Sequence, residues 1–304
     1  MYWMTLRQHR MQLLVTFGLL AVFGVVLLVH GLGTASAAEG LTGHALEEEL
    51  GSRQDVLLAV IGWFPVLPVM IGVFWGAPVL SREYERGTHL LAWTQSVSRR
   101  RWVITKLGVL ALLVTLSGLA LGLMVDAWIG VGGARVEQRF GDSAVFTTSG
   151  VAAAAWWLFA FMLGASAGAL FRRLLPAMAV TIAVFVVALW LLMTNRGEYA
   201  TPERLVSEIT APMALPDGSI PAGGAWLTAE GVEVSDSAVA AVCADTDRYT
   251  YLPCMADEGY RTVTYVHRAD QYWRFQWTEA GLLFGAALVL GGVGYHRGTR
   301  ASVR

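Results

Sequence analysis

The fold is decided by stretches such as residues 174–193, which read LLPAMAVTIAVFVVALWLLM. No charged residue interrupts this run, and its apolar residues cover every face of a helix rather than one stripe. A helix of about 20 apolar residues can cross the hydrocarbon core of a bilayer. The stretch therefore predicts a transmembrane helix and argues against a soluble helical bundle.

Five more stretches of the chain have this character. They run from Leu13 to Gly33, from Val56 to Leu80, from Val103 to about Ile129, from Val151 to Phe171 and from near Trp277 to Tyr295. Of the 304 residues, 55% are hydrophobic and only 15% are charged, whereas soluble domains carry about 25% charged residues. The sequence thus predicts an all-α integral membrane protein with six transmembrane helices.

Glycines four residues apart recur within these spans, and such pairs let helices approach closely. They are Gly72 and Gly76, Gly118 and Gly122, Gly164 and Gly168, and Gly281 and Gly285. We expect them to support a closely packed bundle, without identifying a dimer face.

Basic residues predict the orientation. With the N-terminus inside, the cytoplasmic pieces hold more than half of the 22 Lys and Arg residues; they are residues 1–12, 81–102, 172–173 and 296–304. Cytoplasmic loops carry such an excess. We therefore expect a plasma-membrane protein with both termini in the cytoplasm. The net charge of −1 gives no indication of a nucleic-acid partner.

A secretory signal is the competing interpretation of the N-terminus. Basic residues, an apolar stretch and then Ala35-Ser36-Ala37 follow one another as in a cleavable signal. The apolar stretch from Leu13 to Gly33 is longer than the roughly 7–15 residues of a signal core. The sequence therefore favours a first span that is retained.

The largest outer segment is predicted at residues 194–276, as an extracytoplasmic cap between the fifth and sixth spans. Two shorter outer loops are expected at residues 34–55 and 130–150. Within the cap, the pattern predicts a turn, a strand and a short helix, at residues 216–218, 261–267 and 235–244 respectively.

Cys243 and Cys254 both lie in this cap. Because the outer face of a membrane is oxidising, a disulfide between them is plausible. Two unpaired thiols are the alternative. A metal site is disfavoured, since His267 is the only histidine nearby and no ligand spacing is visible.

The only sizeable cytoplasmic loop is residues 81–102, SREYERGTHLLAWTQSVSRRRW. Gly87 is a natural end for a helix that continues from the second span. Thr88 can then cap a short helix that lies along the membrane, with Leu90, Leu91 and Trp93 on its apolar side.

Residues 82–88 (REYERGT), 90–91 (LL), 96–99 (SVSR) and Lys106 resemble the signature loop of ATP-binding-cassette exporter permeases of the second type. Residues 3–10 (WMTLRQHR) and 272–277 (YWRFQW) resemble an actinobacterial branch of that family. The resemblance, together with the six spans, covers the whole chain. It implies that residues 1–304 form a single transmembrane permease domain.

The resemblance also implies partners and roles. A separate nucleotide-binding ATPase subunit would bind ATP and magnesium, and a second permease copy would complete the pore in the membrane lipid. Residues 81–102 would carry the coupling helix, and the coupling residues would be Glu83, Glu85, Arg86, Gly87 and Thr88. The N-terminal segment would be an amphipathic elbow, with Tyr2, Trp3 and Leu6 opposite Arg7 and Arg10. The cap would gate or shield the exit.

The chain agrees in one respect, because it contains no Gly-x-x-x-x-Gly-Lys-Ser/Thr phosphate loop. ATP hydrolysis would therefore occur on the partner, and no cofactor is expected on this chain. Glu83 and Glu85 could pair with basic residues of the ATPase, and Arg86 with acidic ones. The alternative is that these residues simply pair with one another at helical spacing.

Substrate contact is assigned to Trp63, Phe64 and Phe74 of the second span, because in the resembled exporters the second and fifth spans flank the central cavity. Interface anchoring or packing is the alternative role. Asp126 and Glu279 lie at the outer ends of their predicted spans; solvated ends are the favoured interpretation, and a polar exit relay is the alternative. The histidines are scattered along the chain, and no catalytic site is predicted.

The sequence thus predicts the permease subunit of an exporter that moves an amphiphilic or hydrophobic substrate, such as an antibiotic, peptide or lipid, by alternating access. One alternative is a gradient-driven transporter. It requires buried ionisable residues near mid-membrane, and the predicted spans offer none there, which counts against it. The other is a sensor or assembly protein whose cap binds a ligand.

Overall fold

The computed structural model describes residues 2–87, 98–131, 136–209, 215–239, 242–243 and 250–300. The chain divides into two units. The helical unit comprises Met1–Arg135, Asp142–Arg196 and Gln276–Arg304. The second, which we call the β unit, comprises Val136–Gly141 and Gly197–Phe275.

Six helical stretches in the described residues are long and apolar enough to cross a membrane, as predicted. They are Arg10–Ala38, Glu48–Glu85, Arg99–Gly130, Gly150–Phe171, Leu174–Tyr199 and Ala269–Thr299, and we number them as the first to sixth spans. The third helix itself ends at Val131, the fifth at Asn195, and the sixth runs from Tyr272 to Thr299. The described part of the helical unit also contains two short helices, Tyr2–Gln8 and Ser143–Thr148.

The loop predicted at residues 34–55 is largely helical. The first helix continues to Ala38, and the next helix already begins at His44. Alanine and glutamate, which are common in these stretches, are good helix formers. The helices therefore extend beyond the apolar part of each span.

The second span is not one regular helix. Helix His44–Ile61 is followed by a turn of i→i−3 bonds, including Trp63 N–H to Val60 (3.1 Å). Pro65 lies in this turn and has no N–H for the helical ladder. Helix Val66–Ile71, a π-helical turn at Gly72–Gly76 and helix Ala77–Glu85 then follow.

The fourth span is the centre of the helical unit. Within its most apolar stretch, 78% of the residues are buried, against 11% in the first span and 17% in the fifth. A Cβ on Gly164 would lie 2.1 Å from the carbonyl oxygen of Gly72, and one on Gly122 would lie 2.3 Å from that of Gly150. The fourth span therefore touches the second and third spans backbone to backbone.

The β unit contains a four-stranded antiparallel sheet, in the order β1-β4-β2-β3. Its strands are β1 (Glu203–Glu208), β2 (Ile220–Leu227), β3 (Glu233–Val234) and β4 (Arg261–His267). The all-α prediction is therefore wrong for this unit, although β4 has the predicted bounds. Three short helices also belong to it: Val136–Gly141, Asp236–Val239 and Tyr251–Asp257.

Two local predictions for this segment are confirmed. Ser219 N–H donates to the carbonyl of Pro216 (3.0 Å), which closes the predicted turn. Cys243 and Cys254 form a disulfide, so the alternative of two free thiols is wrong. Cys243 packs with Val239 and Met255 in a small apolar core.

Candidate functional site

Of the residues predicted to couple to an ATPase, Glu83, Glu85, Arg86 and Gly87 lie at one end of the helical unit. We call this the arginine-rich end; it is formed by residues 2–10, 81–87, 98–106, 171–174 and 295–300. At its centre, three consecutive residues of the second span, Glu83, Tyr84 and Glu85, each contact a different span.

Glu83 forms an ion pair with Lys106 of the third span. The two side chains are 13% and 4% exposed, so both charges lie largely out of water. Gln8 donates from its amide to the same carboxylate oxygen at 3.1 Å, and the Lys106 ammonium lies 5.5 Å from the ring centroid of Trp102. A buried carboxylate needs such partners, because an unpaired buried charge is strongly destabilising.

Tyr84 contacts the sixth span. Its hydroxyl donates to the carbonyl oxygen of Gly298 at 3.3 Å. The guanidinium of Arg172 lies 5.6 Å from the centre of the Tyr84 ring, within the range of a cation–π contact. Arg172 ends the fourth span in the left-handed conformation, with φ of 55°.

Glu85 contacts the fifth span. Its carboxylate accepts the backbone N–H of Leu174, the first residue of that helix, at 2.8 Å. A carboxylate at a helix N-terminus satisfies a free N–H and complements the helix dipole. Glu83 and Glu85 thus make contacts within the chain. Glu83 is half-buried, whereas Glu85 is exposed, as are Arg82 and Arg86.

Gly87 follows the last helical turn with φ of +66°, the conformation that commonly ends a helix. This agrees with the predicted terminator. Thr88, and with it the predicted short helix, lies outside the described residues.

The N-terminal motif, residues 3–10, also lies at the arginine-rich end, and its His9 is buried. His9 links helix Tyr2–Gln8 to the first span, is 8% exposed, and hydrogen-bonds through Nδ1 to Gln12. Burial lowers the pKa of His9 below its ordinary value of 6.5, and the hydrogen bond to Gln12 opposes this shift. No chemistry could be predicted for residues 3–10, because the hydrogen bond from Gln8 to Glu83 depends on the fold.

The predicted substrate-contact residues separate into two groups. Phe64 and Phe74 line a groove of about 360 Å³ that has no charged side chain, and Thr16 supplies its only hydroxyl. The Phe64 ring packs edge-on against Phe23 at 4.7 Å. Trp63 is 77% exposed and does not line the groove. Its position suits an aromatic anchor at the membrane surface.

At the opposite end of the helical unit, the structure contradicts the predicted exposure of Glu279. Glu279 was predicted to be a solvated span end, but it is fully buried and paired with Arg196. Asp126 is half-buried. Within the described residues, no group of three or more His, Cys, Asp or Glu side chains could hold a metal ion.

Part of the chain is similar to a known protein family. The family model described as ABC-2 membrane transporter related matches residues 13–196, which is more than half of the 304-residue chain. Comparisons with curated proteins and with solved structures give no match. The matched part begins within the first span, ends within the fifth and includes the Glu83–Lys106 pair. This multi-pass membrane protein therefore belongs to the ABC-2 membrane transporter related family.

Proposed function

We propose that this chain is the membrane-spanning permease subunit of an ATP-driven exporter in the plasma membrane. A separate ATPase subunit binds ATP and magnesium, and two permease copies form one pore that works by alternating access. The family match and the six spans support this proposal.

The arginine-rich end is cytoplasmic in this proposal, as are both termini. The exposed charged side chains of this end are overwhelmingly basic. They include Arg7, Arg10, Arg82, Arg86, Arg100, Arg101, Arg172, Arg173, Arg297 and Arg300. Such an excess is typical of the cytoplasmic side.

One observation carries the coupling role: Glu83, Tyr84 and Glu85 contact the third, sixth and fifth spans within one helical turn. A partner that moves the chain near Gly87 acts on this turn, and the contacts pass the displacement to three spans at once. The exposed Arg82 and Arg86 then bind the ATPase through its acidic groups. Glu83 and Glu85 transmit the motion inside the permease, rather than pairing with the partner.

The groove between the first and second spans supports an amphiphilic or hydrophobic substrate. Its lining is apolar and includes Phe64 and Phe74 beside the π-helical turn at Gly72–Gly76. π-Helical turns occur frequently at functional sites. In this proposal the apolar part of the substrate contacts the two rings.

The proposal is tested by co-purification with the candidate ATPase in mild detergent. We expect the complex to form with the natural chain and to weaken about tenfold or more in Arg82→Glu/Arg86→Glu, which places like charges at the interface. Arg297→Glu/Arg300→Glu is the matched control, because it reverses two exposed charges on the sixth span.

A second pair of substitutions separates transmission from binding. Glu83→Gln/Glu85→Gln is expected to retain the ATPase, while ATP hydrolysis no longer responds to the permease. Loss of ATPase binding in this variant would indicate that the Glu83 and Glu85 carboxylates contact the ATPase directly. A natural chain that never retains an ATPase would instead favour a sensor or assembly protein.

A gradient-driven transporter is the second candidate, and the two buried ion pairs favour it. Both pairs lie near helix ends, because Lys106 and Glu279 are each the eighth residue of their helices, Arg99–Val131 and Tyr272–Thr299. Transport into vesicles that stops with an ionophore, and not on ATP depletion, would support this candidate over the exporter.

A further inference from the structure

A buried polar cluster joins the helices at the end opposite the arginine-rich end. We call it the insertion-end cluster, because the chain enters the β unit after Arg196 and returns at Gln276. Its members are Thr147, Trp156, Arg196, Gln276 and Glu279. None of them is more than 7% exposed.

Glu279 is the centre of the cluster. Arg196 donates to both carboxylate oxygens, from Nε at 2.9 Å and from Nη2 at 3.2 Å. Trp156 donates its indole N–H to the same carboxylate at 2.8 Å. Glu279 has no exposed surface, so these donors replace the water that a carboxylate otherwise binds.

Arg196 is held on its other sides by the segment that precedes the fourth span. Its Nη2 atom lies 3.4 Å from the hydroxyl of Thr147, and its guanidinium lies 4.1 Å from the centre of the Phe146 ring. The ion pair therefore ties together the end of the fifth span, the start of the sixth, the fourth span and helix Ser143–Thr148.

Gln276 ties the same elements a second time. Its amide donates to the carbonyl oxygen of Phe146 at 3.0 Å and accepts the N–H of Ala152 at 2.9 Å. Gly150 lies beside it with φ of +56°, and a Cβ there would be 2.8 Å from the Gln276 side-chain oxygen. Only glycine fits this approach.

These contacts restrict how the end of the helical unit could open. Separating Arg196 from Glu279 without admitting water would leave two buried charges unpaired, which is strongly unfavourable. The cluster is therefore either intact and dry or open and hydrated. An alternating-access transporter needs such a closure at the side where substrate leaves.

We infer that the Arg196–Glu279 pair is the exit latch of the permease, closed at rest and opened when substrate is released. The assignment of this end as the exit rests on the proposed exporter function. Arg196 and Glu279 are positioning residues that hold the fifth and sixth spans together; they are not required to contact the substrate.

The latch is tested with a thiol reporter on the permease alone in lipid nanodiscs. Cys243 and Cys254 are joined in a disulfide, so Thr148→Cys adds one free thiol. Thr148 is 2% exposed, so a charged maleimide should label this position slowly in the parent. We expect Glu279→Gln to raise the labelling rate about tenfold or more, because it removes the charge that holds Arg196.

Ser166→Ala is the matched control. It removes another hydrogen bond between the fourth and sixth spans, from Ser166 to the carbonyl of Leu290 (2.5 Å), away from the cluster. Its labelling rate should stay within about twofold of the parent, since it leaves the ion pair intact.

Two outcomes would overturn the latch. One is an unchanged labelling rate in Glu279→Gln, and the other is an equal rise in Ser166→Ala, which indicates general loosening. If Glu279→Gln does not fold, Arg196→Lys is used in its place. Arg196→Lys keeps the positive charge but cannot form the bidentate hydrogen bonds to Glu279. The same two outcomes of the labelling rate would overturn the latch. The measurement uses neither ATP nor the ATPase, so a failed co-purification leaves its result unaffected.

Discussion

At the residue scale, the Glu83–Lys106 pair is the contact on which the arginine-rich end most depends. We expect Lys106→Met to lower the free energy of unfolding by about 3–5 kcal/mol, because it leaves a largely buried carboxylate without its counter-charge. The double variant Glu83→Met/Lys106→Met removes both charges and should recover most of this loss. Thermal unfolding of the three proteins in one detergent measures both effects. A double variant as unstable as the single one would contradict the expected charge compensation.

Local signals made some residues predictable and left others hidden. Gly87 could be predicted to end a helix, because that role depends only on its own backbone conformation. The burial of Glu279 could not be predicted, since its partner Arg196 is 83 residues away in the chain. Lys106 belongs to the motif that resembles the permease signature loop, but its pairing with Glu83 depends on the second and third spans lying side by side.

At the scale of elements, the contact between the second and fourth spans depends on glycine. Gly164→Ala is expected to lower the free energy of unfolding by at least about 1–3 kcal/mol, because its Cβ would overlap the carbonyl oxygen of Gly72. Gly285→Ala is the matched control, since a Cβ there meets nothing within 4 Å. It should leave stability unchanged or raise it by up to about 1 kcal/mol. Equal effects of the two substitutions in thermal unfolding would contradict the close contact.

The spans and β4 were predictable because their patterns are continuous and local. β1 and β2 were not predicted, and β2 shows why. It reads IPAGGAWL and contains proline and two glycines, which strands disfavour. A β-bulge between Pro221 and Gly223 accommodates them within the sheet. Pairing with β4 thus overrides the local preference of the β2 sequence.

At the scale of the whole molecule, the disulfide is expected to stabilise the β unit alone. Cys243→Ser/Cys254→Ser should lower the stability of this unit by about 2–3 kcal/mol, the value expected for closing a loop of this length; the two cysteines are separated by 11 positions. Limited proteolysis should then cut the β unit faster, while thermal unfolding of the helical unit stays unchanged. The natural chain in reducing agent is the control and should behave alike. Unaltered proteolysis would contradict the prediction.

The assignment of Val136–Gly141 to the β unit could not be predicted from sequence. This short segment lies between the third and fourth spans and shows no strand or amphipathic pattern of its own. Its Phe140 packs edge-on against Phe275 at 4.8 Å and against Tyr272 at 6.0 Å. These partners follow more than a hundred residues later, so the contact depends on the fold of both segments.

The order of strands in the sheet has a consequence for biogenesis. β1 and β2 do not pair with each other; both pair with β4, which the ribosome makes last. Until β4 has been synthesised, the nascent chain carries two strands with open edges that invite aggregation. The Arg196–Glu279 pair likewise forms only when the sixth span has been inserted. We therefore expect a chain truncated before Arg261 to keep these edges open and to leave Arg196 without Glu279, and so to be degraded faster than the full-length chain.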